Sequence, residues 1–189
     1  MSPVTHFLFG WLAANASTTN NRRERALITL AGVAPDVDGL GIIADVLTRN
    51  STNPLNWFSQ YHHLLGHNLV FGLLLVALTM LVAKRKLQTA SLVFFSFHLH
   101  LLCDLVGSRS PDGYQWPIAY LFPFSDVLQL TWSGQWELNA WQNFVITGVV
   151  LIGGFTLAMK RGVSPLEMIS ASANRSFVDT LRRRFSRSD

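Results

Sequence analysis

The chain has 189 residues, of which 49% are hydrophobic and only 14% charged, against roughly 25% charged in an average soluble domain. That deficit, with a positive mean hydropathy, argues against a water-soluble domain and for a single membrane domain. The only cysteine, Cys103, excludes an internal disulfide and a thiolate metal cluster.

In chain order, the opening MSPVTHFLFGWLAANAS lacks a basic region and carries His6, so it reads as mature structure and not as a cleaved signal. Residues 5–16 predict a short apolar helix. A second short run, 26–34, stops at Pro35, because the residue before a proline avoids the helical region. Residues 66–83 and 87–106 are long and apolar enough to span a bilayer, and 143–159 reaches the lower limit of about 17 residues. The tail NRSFVDTLRRRFSRSD spaces Phe177, Leu181 and Phe185 four apart among arginines. That pattern predicts a basic amphipathic helix whose partner is anionic lipid, with no nucleic acid.

Apart from Arg49 and Arg109, every lysine and arginine falls in three regions: residues 22–25, 84–86 and from Lys160 to the tail. If those regions are cytoplasmic, the positive-inside rule gives an N-out, C-in chain with about five membrane helices, the first two short. Trp57, Trp116, Trp132, Trp136 and Trp141 lie in the other loops, as expected of an aromatic-rich outer surface. The predicted fold class is therefore all-α, a polytopic membrane helix bundle over residues 1–162. A basic amphipathic cytoplasmic tail follows over 163–189.

This topology puts the ionisable residues at one height. With a rise of about 1.5 Å per residue, His100 stands roughly 21 Å above the basic end, His67 roughly 25 Å, Asp36 roughly 17 Å and His6 roughly 24 Å. All fall in the outer half of a hydrocarbon core about 30 Å thick. Ionisable groups are costly there and face a protein interior or watery cavity. His100 and Asp104 are i, i+4 and share one helix face; His63 and His67 have the same spacing, and His62 joins them only if the helix begins after it. Asp36 and Asp38 follow Pro35 in APDVDG, in an extended or turn geometry from which both can point inward. Nitrogen and oxygen donors without thiolate suit a divalent metal, zinc first, with manganese or iron as alternatives. The set is large enough for one or two ions.

The motifs THFLFG, APDVD, HHLLGHN and HLLCDLVGS resemble the YdjM-like family of membrane-bound metal-dependent hydrolases, over about residues 3–126. The resemblance implies His6, Asp36, Asp38, His62, His67, His100 and Asp104 as metal ligands, in a bacterial or archaeal inner membrane. It departs at HHLLGHN, where the family usually has HRGxTHS, so His63 stands where an arginine is usual. The resulting expectation is a hydrolase acting on a lipid-borne ester or phosphoester. Asp38 would serve as bridging ligand or base, His62 or His63 as ligand or acid, and Trp116 with PIAYLFPFSD as an outer cover. A metal transporter and a structural protein with a stabilising metal are the alternatives.

Overall fold

A computed structural model describes residues 1–16 and 21–185. The last four residues of the predicted tail lie outside that range. The described chain is mostly helical: α1 Pro3–Ala16, α2 Arg22–Ala31, α3 Gly41–Thr48, α4 Trp57–Tyr61, α5 Leu69–Val82, α6 Lys86–Gly107, α7 Trp141–Arg161 and α8 Ala171–Phe185. Short 3₁₀ turns at Ala34–Leu40 and Pro165–Met168 precede α3 and α8. The only strands among the described residues are β1 Ile118–Ala119 and β2 Gln129–Leu130, an antiparallel pair in register Ile118 to Leu130.

α6 and α7 are long and apolar enough to cross a bilayer. α2 with Ala34–Thr48 makes a third such segment if the pair, bent by 52°, is counted as one. α1 and α5 have 14 residues each, short of the roughly 20 that a perpendicular crossing takes. α5 begins at Leu69, three residues later than the apolar run suggests. Asn68 caps it by accepting from the Phe71 N–H at 2.9 Å, and the Gly66 N–H is committed to Asp38 at 2.8 Å, so the chain before Asn68 cannot continue the helical ladder. α7 ends at Gly162, whose φ of 70° supplies the left-handed cap.

α1 packs against α2, α6 and α7, and α6 also carries α2 and α5. Below the polar layer Trp11 and Ile28 are fully buried, with Ala13, Ala14, Ala31 and Val93 around Ile28 and the polar Thr29, Thr79, Thr89 and Ser96 buried nearby. Beside it Phe97, Leu101 and Ile118 pack together, tying the outer loop to α6. Leu73, Leu78, Phe95, Leu102, Phe144, Val149 and Ile152 stay exposed on the outer faces of α5, α6 and α7, as they would against lipid tails.

Two glycines permit the close approaches that build the site. At Gly32 a Cβ would stand 2.9 Å from Ser96 Oγ and 3.1 Å from the His6 carbonyl oxygen, so α1, α2 and α6 meet only over hydrogen. At Gly66 a Cβ would lie 2.2 Å from the Pro35 carbonyl oxygen, pressing the loop before α5 onto the turn after α2. At the opposite, basic end, Arg25 grips Glu167 with two buried hydrogen bonds of 2.6 and 2.7 Å.

Candidate metal centre

Four segments converge on Asp104. The upper end of α6 presents His100 and Asp104 one turn apart, both buried. His100 Nε2 lies 2.9 Å from Asp104 Oδ2, and His6 Nε2 of α1 lies 3.1 Å from Oδ1. The loop before α5 brings His67 Nε2 to 3.4 Å and His63 Nε2 to 3.9 Å from Oδ2. Asp36 Oδ1 stands 3.8 Å from His100 Nε2, and the Met1 amino group contacts Asp104 Oδ1.

The segment 62–67 does not form the helix on which an i, i+4 relation between His63 and His67 depends. Both residues lie outside α4 and α5, and His63 has a φ of 67°. The two rings still come together, with centroids 4.4 Å apart, through a turn. APDVDG is likewise neither extended nor a loose turn but a 3₁₀ helix, and it sends its carboxylates to different partners. Asp36 faces His100. Asp38 Oδ1 lies 2.9 Å from His62 Nδ1, and its Oδ2 lies 3.0 Å from His67 Nδ1. With the Gly66 N–H also on Oδ2, both oxygens of Asp38 are engaged with histidines and backbone.

These contacts assign protons. An ionised carboxylate and a backbone carbonyl only accept. His67 Nδ1 therefore donates to Asp38, and His100 Nδ1 donates to the Gly32 carbonyl oxygen at 2.9 Å. Both remaining Nε2 atoms then face each other at 3.1 Å beside Asp104 Oδ2. Two imidazole nitrogens so close, with a buried carboxylate alongside, are satisfied by a proton on one ring or by a shared cation. Two donors each about 2.0–2.1 Å from a tetrahedral ion stand roughly 3.3 Å apart, close to the 3.1 Å seen here. His6 Nδ1 and Asp36 Oδ2 are buried with no hydrogen-bond partner.

Three overlapping sets have ligand atoms within 4.8 Å of one another: His6, Asp36, His100 and Asp104; His63, His67 and Asp104; and Asp38, His62 and His67. The donor chemistry fits a divalent ion, and the sets overlap through Asp104 and His67. Burial pushes the His63 imidazole down to about 3.

A cavity of about 190 Å³ lies over this cluster, lined by Asp36, Phe58, His62, His63, Asp104 and Trp116 among others. Trp116 packs its ring edgewise on His62 and His63, whereas no residue of PIAYLFPFSD lines the cavity: Ile118 packs on Phe97 and Leu101, and Tyr120 is hydrogen-bonded to His98. Asp112 sits in an exposed turn, where the Tyr114 N–H holds it below the usual carboxylate range. Three partners have no counterpart in the motif reading: the Gly32 carbonyl, the Gly66 N–H, and Gln135, whose Nε2 donates to the Asp104 carbonyl oxygen at 2.8 Å.

Apolar helices enclosing a buried histidine–carboxylate cluster define a helical membrane protein with an internal site able to hold a metal ion. The model of the YdjM inner membrane protein family matches residues 1–178, and the chain belongs to that family. The match extends beyond the motifs to take in α7 and part of α8. Comparison with curated proteins and with solved structures gives no match.

Proposed function

We propose that this protein is a membrane-embedded, metal-dependent hydrolase acting on a lipid-borne ester or phosphoester in the outer half of the bilayer. The carrying observation is the pair of Nε2 atoms of His67 and His100, 3.1 Å apart beside Asp104 Oδ2, with Asp104 itself lining the cavity above. Zinc suits these donors best, with manganese or iron next. His6, Asp36, His63, His67, His100 and Asp104 would hold one or two ions. Asp38 would orient His67 from behind, as carboxylates commonly do for ligating histidines. An ion held there supplies Lewis acidity, which acidifies a water and neutralises charge on an ester oxygen.

The chain's own residues supply the rest. Asp38 fixes His62 with Nδ1 as donor, which leaves Nε2 as an acceptor on a residue lining the cavity. That is the arrangement of an aspartate-oriented general base that later returns the proton as acid. Trp116 and Phe58 wall the cavity and restrict water. A transporter would need charged or ligand-type groups continuing inward, and below the cluster the buried polar side chains of α5 and α6 among the described residues are only Thr79, Thr89 and Ser96, which favours a closed-ended site.

The test is turnover of phospholipids and lipid-linked phosphoesters by the full chain in nanodiscs, loaded with zinc or manganese. Wild type should turn over at least one of them and lose activity, while staying folded, when a chelator is added. A purely structural metal would instead be revealed by unfolding. His62→Gln should keep its metal and lose about 10²–10⁴-fold in rate; loss of metal would reassign His62 as a ligand.

A further inference from the structure

At the basic end, far from the metal centre, α7 and α8 meet through Phe155 and Phe177, with ring centroids 6.1 Å apart. On one side of this contact an open groove of about 250 Å³ is lined by Ile152, Phe155, Thr156, Met159, Leu181 and Phe185. On the other, a groove of about 280 Å³ runs between α1, α7 and the Pro165–Met168 turn. Thr156 is the only polar side chain lining the first groove, and Ile152 and Phe185 flank it exposed.

The mouth of the first groove carries fixed positive charge. Arg182 donates from Nε and Nη2 to the Met159 carbonyl oxygen at 3.0 and 2.9 Å, which anchors the guanidinium at a residue of the groove wall. Lys160, the next residue, is exposed, as are Arg183 and Arg184. Opposing charge is scarce: Glu24 and Glu167 are buried and Asp179 is the one exposed acid at this end among the described residues. A slot for an alkyl chain that opens beside an anchored guanidinium and an ammonium fits an amphiphile with an anionic head. Basic pockets of this kind between helices bind anionic lipid headgroups.

We propose that the α7–α8 groove is a binding site for an anionic phospholipid, with one acyl chain along Ile152, Thr156 and Leu181 and the headgroup phosphate at Arg182 and Lys160. The site would clamp α8 onto the bundle and is independent of the metal centre.

The experiment compares phosphatidylglycerol with phosphatidylcholine of the same acyl chains, added to the full chain in a neutral detergent. The readouts are melting temperature and lipids retained in native mass spectrometry. Phosphatidylglycerol should raise the melting temperature more than phosphatidylcholine and be retained at a defined stoichiometry. That advantage should disappear in K160Q/R182Q, and also in T156W, which fills the groove and leaves every charge in place. K160Q alone, which spares the Arg182 bonds to Met159, should lose part of it and guards against misfolding of the double variant. Equal effects of the two lipids would overturn the proposal. So would an advantage that survives T156W, which would mean diffuse surface charge, or one replaced by saturable binding of an RNA oligomer.

Discussion

Asp38 and Asp104 look alike in the sequence but have different neighbours, and this separates their expected phenotypes. Asp104 takes four histidine nitrogens within 3.9 Å, so Asp104→Asn should abolish metal binding. Asp38 touches only Nδ1 atoms and a backbone N–H, so Asp38→Asn should weaken affinity about 10–100-fold without abolishing it. Competition against a chromogenic chelator measures both. At this scale the sequence is a good guide wherever ligands share an unbroken helix: His100 and Asp104 stand one turn apart on α6, as their spacing predicts. It misleads at His63 and His67, where the same spacing arises from a turn with positive φ. It is silent about the Gly32 carbonyl and Gly66 N–H, since a backbone group leaves no side-chain signature.

Among elements, the turn Ala34–Leu40 and the loop before α5 are mutually fitted at Gly66. A Cβ there would collide with the Pro35 carbonyl, so Gly66→Ala should both lower the melting temperature and reduce metal content, although it touches no ligand side chain. At the other end, the Arg25–Glu167 pair is buried on both sides. Breaking such a pair from one side costs about 3–5 kcal/mol. Arg25→Met should therefore destabilise strongly, and the double change R25M/E167L should recover most of the loss in detergent unfolding curves. The long helices α6 and α7 are legible from apolar runs alone. The break between α2 and α3 is legible only as a proline after an apolar run, because its bend depends on packing against His62 and Gly66 from another part of the chain.

For the whole molecule, basic residues gather at one end and tryptophans, cavity and metal cluster at the other, which makes the N-out, C-in topology testable. With Cys103 replaced by serine, a cysteine at Ser125 should react with an impermeant maleimide from outside intact cells, and one at Arg183 only after lysis. The convergence of four segments on one height is the global feature the sequence carries, through helix rise and charge placement. The pairing of specific atoms within that layer comes only from tertiary packing. The central claim is that the layer is a metal centre, and the most direct test is metal content per chain by elemental mass spectrometry on detergent-purified protein. The account predicts one or two equivalents of zinc, manganese or iron in wild type, lost in both His67→Ala and Asp104→Ala. Wild-type protein free of metal even after supplementation, or variants that keep their full complement, would contradict it.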